Sequence, residues 1–154
     1  MKANHGEWAL HRYWLWANQF RESLLESLAR EGPPADEGHA REPMGWIGVP
    51  FQSASYWLAT LHVVVEGWQE LRLHDPVVDD LLGTDDRVSA LRRYRNGVFQ
   101  FQPTYFDTRV TDFAASGDAV VDWAHELHEA FGAWFLSWYA SQPSSDETRR
   151  RDDL

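Results

Sequence analysis

An arginine stands where the helical pattern of this 154-residue chain calls for an apolar residue. Val88, Leu91, Arg95, Val98 and Gln102 recur at spacings of three and four, which puts Arg95 on the core-facing stripe of a helix. Burying a guanidinium costs several kcal/mol unless it is paired. Two structural solutions exist: the side chain reaches the rim of the fold, or it meets a carboxylate such as Glu66. The chemical solution is a crevice in which the planar fork grips phosphate oxygens two at a time. Arg92 and Arg93 lie beside Arg95, and Asn96 and Gln100 follow it.

The histidines offer a second chemistry. His125 and His128 are three residues apart, with Glu129 four beyond His125; His62 and Glu66 are one turn apart, as are Glu70 and His74. Helical bundles project Glu and His inward to hold metal ions. The same spacings suit solvent-facing residues with local ion pairing, and His125 lies on the polar side opposite Leu127 and Phe131. The bland reading is the simpler one, so no metal or organic cofactor is expected. A metal-binding bundle using His62, Glu66, His125 or His128 stays as an alternative.

The segment Arg92-Arg93-Tyr94-Arg95-Asn96-Gly97-Val98-Phe99-Gln100-Phe101 resembles the signature of the HEPN family (higher eukaryotes and prokaryotes nucleotide-binding domains). Those proteins have four or five helices and an Arg, usually followed by a polar residue, with a His five positions beyond the Arg. Here the positions hold Arg95, Asn96 and Gln100, and a glutamate-bearing helix segment, Val63-Val64-Val65-Glu66-Gly67-Trp68, precedes them. The resemblance implies metal-independent RNA cleavage in a cleft between two protomers, with Arg95, Asn96, Gln100 and Glu66 as its site residues. Arg95 would stabilise charge on the scissile phosphate, and the His would move a proton. It also implies a homodimer of toxin or defence type with a cognate antitoxin or defence partner. Gln100 departs from the pattern, because an amide exchanges hydrogen bonds but does not titrate near neutrality. Binding of RNA with impaired or absent cleavage is therefore expected, unless another His such as His128 carries the proton.

Four long helices must position these residues. Apolar periods run over residues 7–30 (Leu10, Trp14, Ala17, Phe20, Leu24, Leu28), 52–73 (Trp57, Leu61, Val64, Trp68, Leu71) and 118–139 (Val120, Ala124, Leu127, Phe131, Trp134, Trp138). The Arg95 helix starts near Thr84, which can cap it, and Pro103 closes it. Asp118 is a plausible cap for the last helix. Residues 76–82 read as a short extra turn and 108–115 as a short helix. The fold expected is all-α, a four-helix bundle with a short extra helix or turn between the second and third long helices. It forms one domain over residues 1–140, followed by a polar, Ser-rich tail, 141–154, read as disordered. A long loop, 31–50, separates the first two helices, with Trp46, Ile47 and Val49 packing its far end back on the body.

Composition bounds the rest. Apolar residues make up 44% of the chain and nine residues are Trp, enough for a real core. No apolar run approaches the roughly 20 residues of a membrane span, no secretory signal is visible, and there is no Cys; these favour the cytoplasm. A net charge of −10 disfavours a broad nucleic-acid footprint, and the Arg149–Arg151 run reads as solvated tail. Trp14, Trp57, Trp68, Trp134 and Trp138 are expected in the core, and Trp8, Trp16, Trp46 and Trp123 partly exposed. Exposed Trp is enriched at interfaces, which points again to a homodimer, or to a non-catalytic interaction module as a further alternative.

Overall fold

The computed structural model describes residues 5–31, 49–83, 85–104 and 107–142. Among them the chain forms α1 (His5–Glu31), α2 (Val49–Glu70), α3 (Pro76–Leu82), α4 (Asp85–Phe99), α5 (Thr108–Ala115) and α6 (Asp118–Ala140), with no strand. The all-α bundle, the short helix between the second and third long helices, and the one over 108–115 are all present. Residues 32–48 of the long loop, Thr84 and residues 143–154 of the tail lie outside the described residues.

The fold is organised around α2. Trp57, Leu58, Ala59, Thr60, Leu61 and His62 are consecutive and all buried, and Val64, Val65 and Trp68 follow. A helix that is apolar on nearly every face must be covered on every face. The β-branched run Val63-Val64-Val65, which alone would favour a strand, is overridden by that burial. Antiparallel to α2 lies α1, pairing Leu10 with Gly67 and Ser23 with Ser53. A Cβ on Gly67 would stand 2.6 Å from Leu10 Cδ1, so the missing side chain is what lets the two helices approach. On another side α6 stands off, separated from α1 and α2 by Trp14, Trp57, Trp68, Phe131 and Phe135. Trp68 meets Phe131 and Trp134 edge-on, at ring-centroid distances of 5.4 and 4.9 Å. Each fully buried Phe contributes roughly 1.5–3 kcal/mol, so this layer holds α6 in place without close backbone contact. The C-terminal end of α4 lies beside the N-terminal end of α2, and α5 packs on the outside of α4.

Helix ends explain several departures from the periodic reading. The Schellman pattern closes α2, with Leu73 N–H donating to Trp68 O (3.2 Å) and Arg72 N–H to Gln69 O (3.1 Å). This puts Arg72 at φ 53°, in the left-handed position usually held by Gly. Leu71, expected on the apolar stripe, is thereby turned outward, and Leu28, in the last turn of α1, is likewise exposed. Asp75 Oδ1 accepts from the N–H groups of Val77 and Val78 and starts α3, with Pro76 as its first residue. Gly117 at φ 82° takes the cap position of α6, so Asp118 is its first helical residue rather than its cap. The stripe does not extend to Gln102: α4 ends at Phe99, and Pro103 keeps Gln102 itself out of the helical region. Trp8 and Trp16 are half-exposed as expected, but Trp123 is only 1% exposed, with its indole N–H on Leu81 O at 3.0 Å. The short helix α3 folds over the flank of α6 that carries it; Trp46 lies outside the described residues.

Candidate functional site

Leu91, Tyr94 and Gly97 form the buried face of α4, with Val98 packed against the core beside them. Two neighbours fix that face. The Tyr94 hydroxyl shares a buried 2.9 Å hydrogen bond with Ser55 on α2, and burial raises the pKa of the phenol. On the other flank, a Cβ on Gly97 would sit 3.0 Å from Arg109 Cβ and Val110 Cγ2, so α5 is seated where only Gly leaves room. Arg95 falls at the edge of this face, at the seam with α2.

Its guanidinium is neither sealed nor free. The side chain is 34% exposed, and the Nη2 to Glu66 Oε2 distance is 3.8 Å, an ion pair too long for a hydrogen bond. Nη1 donates to Asn96 Oδ1 at 3.0 Å. Nε is buried and has no hydrogen-bond partner. Arg95 therefore does reach the rim and does face Glu66, but that pairing leaves most of its donor capacity unused. A buried polar atom without a partner is uncommon and asks for an explanation.

The same carboxylate oxygen faces His62, whose Nδ1 is 3.7 Å away and also unpartnered. Burial lowers the His62 pKa; Glu66 opposes that shift, and Arg95 and Arg92 add to it. The imidazole is held neutral at the bottom of the cluster. His62 is buried rather than solvent-facing, because α4 covers the flank of α2 that carries it. One turn of sequence makes the His62–Glu66 pair legible, and a charge on an apolar stripe points to Glu66 as a partner for Arg95; that both cations meet the same carboxylate oxygen shows only in the packing.

Gln100 is placed elsewhere. It is the first residue past α4, its N–H donating to Asn96 O at 3.1 Å. Its side-chain oxygen accepts from Arg109 Nη1 at 3.5 Å, on the α5 side. The structure thus brings Arg95, Asn96, Glu66 and His62 together and sets Gln100 apart beside Arg109. Arg109 belonged to no motif, and only the packing of α5 against Gly97 reveals it.

His128 does not reach this site. It is buried between α1, α2 and α6, where Trp57 Nε1–H donates to its Nδ1 at 3.4 Å and its Nε2 is 3.0 Å from Asn18 Oδ1. With Nδ1 an acceptor, Nε2 carries the proton and donates to Asn18. Asn18 in turn donates to Glu22 at 2.8 Å. Burial lowers the His128 pKa to about 3, with Arg21 and His125 adding to the effect. His125 is only partly solvated: its ring lies 4.4 Å from that of Trp57, and its Nδ1 accepts from Arg21 Nε at 2.8 Å. Among the described residues no three His, Asp or Glu side chains converge as a metal-holding group, and the His125, His128 and Glu129 spacing is used by Arg21, Trp57 and Asn18 instead.

The C-terminal end of α4 and the residues after it carry exposed aromatic rings. Phe101 is 92% exposed, Phe99 53% and Tyr56 44%. The Tyr56 and Phe99 rings lie 6.2 Å apart, with Phe20 behind Tyr56 at 5.3 Å. No helix among the described residues is long and apolar enough to cross a membrane. No protein-family model, curated protein or solved structure matches the chain.

Proposed function

We propose that this chain is a HEPN-like domain that holds RNA through Arg95 and, with Gln100 in the motif's His position, cleaves it poorly or not at all. The observation that carries this reading is the state of the Arg95 guanidinium. It stands partly exposed at a seam, with one hydrogen bond to Asn96, a carboxylate at 3.8 Å and a buried Nε without a partner. A phosphate placed there would take up donors that the protein leaves unused, in the forked geometry that guanidinium provides. Asn96 positions the fork, and Glu66 occupies the place of the incoming anion and must yield to it. The same reading takes the molecule as a cytoplasmic homodimer of toxin or defence type, in which two copies of Arg95 face a shared cleft and an antitoxin or defence partner restrains it.

Anisotropy of a labelled single-stranded RNA at low salt tests the binding. Arg95→Ala is expected to weaken it at least tenfold and Arg95→Lys nearly as much, because an ammonium lacks the fork. Binding that is equal in wild type and Arg95→Ala removes the proposal. For the lineage, Gln100→His is expected to produce RNA cleavage and growth arrest, both abolished when Arg95→Ala is added. Neither effect appearing would leave the catalytic ancestry without support.

A further inference from the structure

We infer that the cavity between the C-terminal end of α2 and α3 is a binding site for a small amphipathic carboxylate, with Arg72 as its anion anchor. RNA plays no part in it, and it shares no lining residue with the Arg95 site. The cavity measures about 500 Å³, within the roughly 300–1,000 Å³ of small-molecule sites. Its lining is divided by depth. Trp68 is only 2% exposed, and Leu73 and Leu82 are half-buried against the core. Gln69, Arg72, His74 and Asp79 stand exposed around them. An apolar interior with a few polar groups at its edge takes the body of a small ligand and orients its head.

Arg72 selects the head group. It sits in the turn that closes α2 at φ 53°, a left-handed position where an L side chain is disfavoured and Gly is the usual occupant. Among the described residues its guanidinium has no hydrogen bond or ion pair, so the turn gains nothing from it. A side chain kept at a disfavoured backbone position points to a role outside the fold. Trp68 Nε1 is a second donor without a partner. The one carboxylate on the lining, that of Asp79, faces His74 Nδ1 at 3.5 Å. Unused capacity among the lining residues is therefore weighted toward donors, which suits a head that only accepts. A carboxylate is such a head, and the planar fork takes its two oxygens together. An amine would instead meet Arg72 as a like charge.

Titration calorimetry with octanoate, 3-phenylpropionate and octanamide, an uncharged analogue of the first, tests the site. Octanoate is expected to bind wild type one to one and at least tenfold more tightly than octanamide, the margin of a charge-assisted hydrogen bond. Arg72→Gly should weaken octanoate at least tenfold and leave octanamide as it was. Gly suits φ 53°, so this variant should melt no lower than wild type, and lost binding is then not lost folding. Arg72→Asn, which also tolerates that position, repeats the comparison. Gln69→Trp puts a ring in the mouth of the cavity and should abolish binding of all three probes. Wild type that binds neither carboxylate at millimolar concentration overturns the inference, as does equal octanoate affinity in wild type and both Arg72 variants. Octanoate binding that survives Gln69→Trp would lie elsewhere on the protein and overturn it too.

Discussion

Two polar clusters flank α2 on opposite sides, and they differ in how completely their hydrogen bonds are made. On the α1–α6 side, His128 has a partner for each ring nitrogen, Arg21 bridges His125 and Glu129 at 2.8 Å each, and Asn18 passes the chain on to Glu22. On the α4 side, His62 Nδ1 and Arg95 Nε have no partner, and Glu66 stands 3.7 and 3.8 Å from the two cation-capable groups. A satisfied buried network fixes a unique packing, whereas a partly satisfied one stores unmet hydrogen-bonding demand. The first cluster belongs to folding; the second leaves hydrogen-bonding capacity unmet, which is the ground for the proposed phosphate site.

The sharpest way to break this comparison is to remove His128. His128→Leu keeps the volume but leaves Trp57 Nε1 buried without its acceptor and takes the donor from Asn18. A loss of about 2–4 kcal/mol is expected by urea unfolding at pH 7. A loss under ~1 kcal/mol would mean the network is not what holds α6 on α1 and α2.

Acid acts on the same cluster and comes next in size. The His128 pKa is about 3 in the folded chain against 6.5 when unfolded. Below pH 6.5 the unfolded chain takes up a proton that the folded chain refuses. Stability present above pH 6.5 is therefore lost as pH falls toward 3, at up to about 1.4 kcal/mol per pH unit. Arg21 and His125 face His128 and oppose its protonation, while His11, His62 and His125 have lowered pKa values of their own and add to the slope. Unfolding of wild type and His128→Leu at pH 7 and pH 5 separates them: the variant should show the shallower decline. Equal declines would place the acid sensitivity elsewhere.

The sequence made the helices legible because apolar residues at three- and four-residue spacing survive any arrangement of the neighbours. Arg95 stood out for the same reason, as a charge inside such a period. Contacts between helices were mostly not legible, the facing of Arg95 and Glu66 being the exception that a charge on an apolar stripe suggests. The burial of Trp123 depends on α3 crossing the flank of α6, and a single-helix stripe carries no information about a seven-residue segment arriving there. The meeting of Glu66, His62 and Arg95 depends on the register between α2 and α4. The placing of Gln100 beside Arg109 depends on α4 stopping at Phe99 and on where α5 packs. His125 reads as solvated because Leu127 and Phe131 define the opposite face, yet the large Trp57 ring reaches it and covers one side.

The smallest expected effect has the opposite sign to the first and so sharpens the comparison most. His62→Leu makes the same replacement on the other side of α2, at a site where Nδ1 has nothing to lose. Exchanging an unpartnered buried polar group for an apolar one of similar volume is neutral or stabilising, so a change between zero and about +1 kcal/mol in stability is expected. It also removes one of the two groups facing Glu66 Oε2. The carboxylate is then left to Arg95 alone, pairs with it more tightly, and becomes a stronger internal competitor for the fork. RNA affinity should fall a few-fold while stability holds or rises. A His62→Leu variant that unfolds as readily as His128→Leu would show that the two clusters are equivalent parts of the core, and that the open hydrogen-bonding capacity around Arg95 is not held in reserve for a ligand.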